Sequence, residues 1–127
     1  MNSVKLTAFE QKIIAAWEEV YKKGLLTLWI LLALKDGSKY MSAIKEFIDS
    51  AANESLAADD QSMYRALRRF YKMELVEYKE EPSDQGGPAR KVYLLTATGR
   101  NVLNGFIGRN IINIYYKPKI QKLLLDK

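Results

Sequence analysis

Residues 86–100 read "GGPARKVYLLTATGR" and pass from a tight turn through a strand into the start of a helix without a spacer. Gly86 and Gly87 permit positive φ, Pro88 stiffens the exit, and the β-branched and aromatic residues of "RKVYLLT" favour an extended chain. Upstream, "LVEYKEE" from Leu75 to Glu81 is the matching strand, so the pair makes a hairpin whose long tip is "PSDQGGPA". Thr96 then suits the N-cap of the last helix. A lone hairpin is marginal in water, so its apolar face must be covered by helices supplied elsewhere in the chain.

Helical periodicity supplies them. Phe9, Ile13, Ile14, Trp17 and Val20 form an apolar stripe that predicts a first helix over about Thr7 to Lys22, supported by the i, i+4 pairs Glu18–Lys22 and Glu19–Lys23. Gly24 interrupts the pattern before "LLTLWILLAL", a second, nearly all-apolar helix that "KDGS" ends at 35–38. A third helix places Met41, Ile44, Phe47 and Ile48 on one stripe. The turn-rich "NESLAADD" at 53–60 offers Asp59 or Asp60 as the cap of a fourth helix, from about Asp60 to Met73. The last helix runs from about Ala97 towards Tyr116, and Pro118 should end or kink it.

Helices in this order followed by a hairpin and a closing helix describe a mostly α fold with a β-hairpin wing: a winged helix-turn-helix carrying an extra N-terminal helix and a long C-terminal helix. At 127 residues and 48% hydrophobic, the chain supports one core, so 1–127 is expected to be a single domain. Within it, 1–23 is the N-terminal helix, 24–96 the winged core and 97–127 the C-terminal dimerisation helix.

Composition narrows the chemistry. There is no cysteine and no histidine, hence no disulfide, thiolate metal site or histidine base. No glycine-rich phosphate loop is present either, and the scattered carboxylates are accounted for by helix pairing. The expectation is no enzyme, no cofactor and no metal. Acidic residues in the N-terminal segment break any signal-peptide pattern, and the apolar run Gly24 to Leu34 is far below the roughly 20 residues that cross a bilayer. A cytoplasmic protein without membrane contact is therefore expected.

The net charge of +5 fits a polyanionic partner, and its placement matters more than its size. On the fourth helix Met63, Ala66, Leu67, Phe70 and Met73 form the inward stripe, while Gln61, Ser62, Tyr64, Arg65, Arg68, Arg69 and Lys72 occupy the other face with no acid among them. Arg bridges guanine, Gln pairs with adenine, and Ser and Tyr reach phosphates. The same pattern also fits an ordinary solvated face, and the hairpin tips the balance: a wing needs a tight tip with cations near it, and Arg90 and Lys91 stand just behind the glycines. Arg90 is the expected tip contact. Glu80, Glu81 and Asp84 weigh against phosphate binding there. Double-stranded DNA is thus the expected partner.

The stretches "SMYRALRRFYKMELVE" and "GGPARKVYLLTATGR" resemble the PadR-type transcriptional regulators, which pair a tyrosine-bearing recognition helix with a Gly-Gly-Pro wing and a Leu-Thr-x-x-Gly-Arg stretch at the last helix. The resemblance covers about Gly24 to Leu103. Less specifically, the small size and outer helices look like compact winged-helix regulators of crenarchaea. The resemblance implies a DNA-binding homodimer, with Tyr64 and Arg65 on the recognition helix and Arg90 in the wing. The chain departs from the pattern after the second helix, where "KYMSAIKEF" stands in place of a Gly-Tyr-Glu-Ile-like stretch.

Leu103, Phe106, Ile107, Ile111, Ile114 and Tyr115 give the last helix a broad apolar face, and a monomer this small struggles to bury it together with the first helix. Homodimerisation through the C-terminal and N-terminal helices is the expectation, with fold-back onto the first helix as the alternative. Gly105 and Gly108 point to close backbone packing. Trp17, Trp29, Tyr115 and Tyr116 are the residues that would line an effector cavity if a small molecule is sensed. Other functional readings are an architectural protein that coats DNA broadly and a module that binds an acidic protein.

Overall fold

A computed structural model describes residues 5–52, 56, 58–83 and 86–127. Helix α1 (Ala8–Tyr21) is started by a capping box: Thr7 Oγ1 accepts from the Glu10 N–H at 3.1 Å, and Glu10 Oε1 accepts from the Thr7 N–H at 2.8 Å. That exchange holds the Glu10 carboxyl below its ordinary pKa. None of its residues is buried, so the apolar stripe of α1 is not part of the core. Fold-back of the last helix onto α1 is therefore not what covers either one.

Gly24, at φ +84, turns the chain into α2 (Leu25–Asp36), whose Ile30, Leu31, Ala33 and Leu34 are buried. Beyond it Lys39 reaches back to close the helix end: its Nζ donates to the Ala33 carbonyl and to Asp36 Oδ2, both at 2.9 Å. Lys39–Tyr40 form a two-residue strand, β1, that sequence periodicity missed because so short a strand carries no alternation. Next come α3 (Met41–Ala51), burying Ile44 and Ile48, and α4 (Asp60–Lys72), burying Met63, Ala66, Leu67 and Phe70. Of the intervening segment, residues 53–55 and 57 lie outside the described ones. Asp59 caps α4 by accepting from the Ser62 N–H at 2.7 Å, which lowers the Asp59 pKa.

The hairpin consists of β2 (Val76–Glu81) and β3 (Arg90–Leu95), antiparallel from Val76 opposite Leu95 to Glu81 opposite Arg90. Strand β1 adds to the other side of β3, giving the order β1-β3-β2 with Tyr40 opposite Val92. Val76 and Tyr93 anchor the sheet on the helices. Fully buried side chains such as Ile30, Ile44 and Phe70 each contribute about 1.5–3 kcal/mol.

The chain then passes through Thr96 into α5 (Ala97–Ile107). Thr96 Oγ1 donates to the Glu74 carbonyl at 2.6 Å and accepts from the Gly99 N–H at 2.9 Å, fastening α5 to the start of β2. Gly99 packs there so closely that a Cβ would stand 1.9 Å from the Leu75 carbonyl oxygen. This contact gives the Leu-Thr-x-x-Gly-Arg stretch its physical meaning. A π-helical turn at Gly108–Ile112 and a short turn at Asn113–Tyr115 continue α5, and Pro118 opens a separate helix, α6 (Pro118–Leu125), at its first turn.

Two expectations about packing change. Met73, placed on the inward stripe of α4, sits at the helix C-cap and is 57% exposed, because the helix has ended and Glu74, at φ +62, redirects the chain. Leu103, expected on an exposed dimer face, is only 2% exposed: it points with Gly99 to the inner side of α5.

Candidate nucleic-acid interface

Helix α4 turns four apolar side chains inward, so its polar residues divide by position around the axis. Gln61, Arg65, Arg68 and Lys72 recur at intervals of four, three and four and form an exposed ridge opposite the buried stripe. Tyr64 and Tyr71, each 49% exposed, lie on the flank nearest the hairpin. Ser62 and Arg69 lie on the opposite flank. Arg69 lines an apolar cleft with Thr27, Leu28, Met73, Val102 and Phe106, and its guanidinium carbon is 5.3 Å from the centroid of the Phe70 ring. The seven residues expected on one DNA face are thus a central ridge with two unlike flanks.

At the head of the ridge Asp60 Oδ1 receives a hydrogen bond from Lys45 Nζ of α3 at 2.6 Å, a pair that raises the Lys45 pKa. Of the two acids at the head of α4, Asp60 is thereby matched by a cation from the neighbouring helix and Asp59 is engaged by the helix cap. Sequence reading did not find this pair, and no local signal links residues fifteen apart in two different helices.

The hairpin stands beside the tyrosine flank. Tyr71, Tyr78 and Tyr93 pack in a row of tilted rings, with centroids 5.2 and 5.9 Å apart, and burial raises the Tyr93 pKa. Lys91, opposite Glu80, places Nζ 4.5 Å from the Tyr78 ring centroid. Arg90 stands just behind the tip, in the last cross-strand pair, and its guanidinium carbon is 3.7 Å from the Tyr40 ring centroid. The Tyr40 hydroxyl donates to Glu81 Oε2 at 3.2 Å. Of the two tip glycines, Gly86 takes positive φ, at +73, and Gly87 does not. Asp84 lies outside the described residues.

Tyr40, Ser42, Tyr64, Pro88, Arg90 and Lys91 together line a concavity between the hairpin, the start of α3 and the tyrosine flank of α4. A cationic ridge on a helix of ordinary width, bordered by a hollow with two further cations, is an arrangement that meets a curved polyanion along two paths.

The profile of the transcriptional regulator PadR-like family matches residues 30–105. The chain belongs to the PadR-like family of transcriptional regulators. In this PadR-like chain the matched span runs from Ile30 in α2 to Gly105 in α5 and so contains α3, α4 and the whole hairpin, leaving α1 and the C-terminal turns outside.

Solved structures carry the same winged-helix fold. A PadR-like transcription factor from Bacteroides fragilis is 29% identical, with 74% of this chain and 87% of that one covered at a TM-score of 0.62. A PadR family regulator from Eggerthella lenta, 19% identical, superposes over 95% of this chain and 100% of its own at 0.68. The PadR protein of Bacillus subtilis, solved in complex with operator DNA, is 18% identical and matches 65% of this chain and 46% of its own at 0.59. Among curated proteins none matches in sequence.

Among the described residues, no helix is long and apolar enough to cross a membrane, and no cluster of three or more acidic residues could hold a metal ion. The C-terminal face is distributed unevenly: Phe106, Ile114 and Tyr115 are exposed, Ile107 and Ile111 are half-buried, and Leu103 belongs to the core. A Cβ on Gly105 or Gly108 would meet nothing within 4 Å, so neither glycine serves a close approach inside the chain. Trp17 is 71% exposed and Tyr115 and Tyr116 are also exposed, while Trp29 packs against the core, so the four aromatics do not form a common cavity.

Proposed function

We propose that this regulator binds double-stranded DNA as a homodimer, with α4 in the major groove and the hairpin on the adjacent backbone. The observation that carries the reading is the exposed ridge Gln61, Arg65, Arg68 and Lys72, which has no acid along it. An α-helix fits the major groove, where Arg and Gln side chains can pair with base edges. Tyr64, Arg90 and Lys91 border the hollow beside the ridge and are assigned to the phosphate backbone. Ser62 stands near the head of α4 and is assigned to a phosphate there, whereas Arg69, on the flank towards α5, contributes least. The Bacillus subtilis protein of the same fold was solved with operator DNA, which supports DNA as the partner.

The division of the chain follows from the same reading: residues 24–96 are the winged core that meets DNA, and the segments 1–23 and 97–127 are arms for a second copy, the latter fastened to the core through Gly99 and Leu103. Support for the arms comes from exposed apolar side chains on both, notably Phe9, Trp17 and Val20 on α1 and Phe106, Ile114 and Tyr115 towards the C-terminus. A two-fold dimer would set two copies of α4 about 34 Å apart, one turn of B-DNA, and would favour a pseudo-palindromic site.

The test is fluorescence anisotropy with a labelled duplex from the gene's own upstream region and a scrambled duplex, titrated across salt, for the wild type and Arg65→Ala. Tighter binding to the upstream duplex, lost in the variant, establishes a sequence-specific regulator. Equal binding to both identifies an architectural protein, and binding to neither at low salt refutes the DNA reading. Sedimentation at micromolar concentration tests the dimer, which a monomer would refute.

A further inference from the structure

Tyr40 stands where three elements meet. It is the last residue of β1, the N-cap of α3 and the backbone partner of Val92 in β3. Its side chain also touches both strands of the hairpin, with the ring under the Arg90 guanidinium at 3.7 Å and the hydroxyl donating to Glu81 at 3.2 Å. Arg90 and Glu81 face each other directly across the hairpin. Opposite charges so placed ordinarily pair, yet among the described residues no ion pair joins them, and Tyr40 contacts each one separately.

We propose that Tyr40 is a positioning residue for DNA binding, which holds the Arg90 guanidinium over its ring in the hollow beside α4 and keeps the Glu81 carboxylate from capturing it. The proposal rests on the reading that this surface meets a duplex. Stacking occupies a face of the guanidinium and leaves its in-plane N–H donors directed outward, the geometry in which Arg forms a fork with a phosphate. An Arg held this way loses little rotamer freedom on binding, whereas an Arg paired with Glu81 must first break that pair in front of a polyanion. The same contact adds a side-chain tie between the hairpin and the start of α3 to the backbone pairing of β1 with β3.

Two measurements test the proposal, one without DNA. A ring stacked on Arg90 shifts the Arg90 Hε resonance upfield. The shift is expected in the wild type and in Tyr40→Phe and absent from Tyr40→Leu. In anisotropy titrations with the upstream duplex, Arg90→Ala is expected to weaken binding about 10-fold and to lower the slope of log K against log salt by about one phosphate contact. Tyr40→Leu is expected to lose about 3- to 10-fold, Tyr40→Phe less, and Tyr40→Leu added to Arg90→Ala nothing further. Thermal melting identifies any variant that has lost its fold, in which case Tyr40→Phe carries the comparison. Wild-type affinity in Tyr40→Leu, or a loss that adds to that of Arg90→Ala, overturns the proposal. If the wild type binds no duplex, or Arg90→Ala binds unchanged, the DNA reading of this surface fails and takes the role of Tyr40 with it. The resonance shift still reports separately whether the stack exists.

Discussion

Replacing Gly99 with alanine sets two effects of known size against each other. Alanine favours a helix over glycine by up to about 1 kcal/mol, and Gly99 stands in the first turn of α5, so on propensity alone Gly99→Ala stabilises the helix by at most that amount. Its Cβ, however, would lie 1.9 Å from the Leu75 carbonyl oxygen and 2.8 Å from the Leu75 carbonyl carbon, both backbone atoms that no rotamer change can move. Restoring an ordinary carbon-to-oxygen contact of about 3.3 Å requires α5 and the start of β2 to separate by more than about 1 Å. That Leu75 carbonyl also accepts from the Thr96 N–H at 3.1 Å, and Thr96 holds Glu74 beside it, so the separation strains the joint between the hairpin and α5. Overpacking costs about 1–3 kcal/mol and the strained hydrogen bonds about 1 kcal/mol each. After subtracting the gain in propensity, the expected net destabilisation is about 2–3 kcal/mol, or a fall in Tm of roughly 10 °C for a chain of this length. Circular dichroism melts at one fixed protein concentration measure it, since dimerisation would make Tm concentration-dependent. An unchanged or higher Tm would falsify the claim that Gly99 is required by the Leu75 contact.

Other outcomes follow from the same geometry. Glu74→Gly is expected to stabilise the protein by about 0.5–1 kcal/mol, because Glu74 occupies a left-handed conformation at φ +62 that glycine adopts without strain; a lower denaturation midpoint would count against this. The Asp59 cap has a lowered folded-state pKa, so its contribution is fully present above the ordinary carboxylate value of 3.8 and fades as pH falls through the lowered one. The difference in Tm between the wild type and Asp59→Ala should therefore be constant from pH 7 to 5 and shrink towards pH 2; a difference that persists at pH 2 would show that the carboxylate is not the cap. Arg69→Ala should weaken duplex binding less than Arg65→Ala, and equal losses in anisotropy would contradict the division of α4 into a ridge and flanks. Phe106→Glu should shift sedimentation towards the monomer, and an unaltered dimer would exclude that face from the interface.

Local pattern made much of this protein legible. Helices α1 to α4, both hairpin strands and the start of α5 follow from apolar spacing, caps and turn residues, because each signal is exchanged among residues a few positions apart. The helix caps at Thr7, Asp59 and Thr96 stand at positions a sequence reader can mark, since a cap needs only a side-chain oxygen and the next turn's N–H groups. The cationic face of α4 was visible for the same reason, as its residues share one helix.

Contacts between distant segments decided the remainder. Whether Arg69 points to the ridge or to the cleft beside α5 depends on what packs around α4, and whether Met73 is buried depends on where that helix stops. The α1 stripe was legible as an apolar face, but periodicity records only that a face is apolar and not what covers it. Tyr40 lies dozens of residues before Glu81 and Arg90 in the chain, and only the register of β1 on β3 and of β3 on β2 brings the three to one spot. Sequence thus determined which elements form and in what order, through short-range hydrogen bonding and periodic burial. The tertiary structure decided which side chains meet, because packing and strand register act across separations that no local pattern encodes.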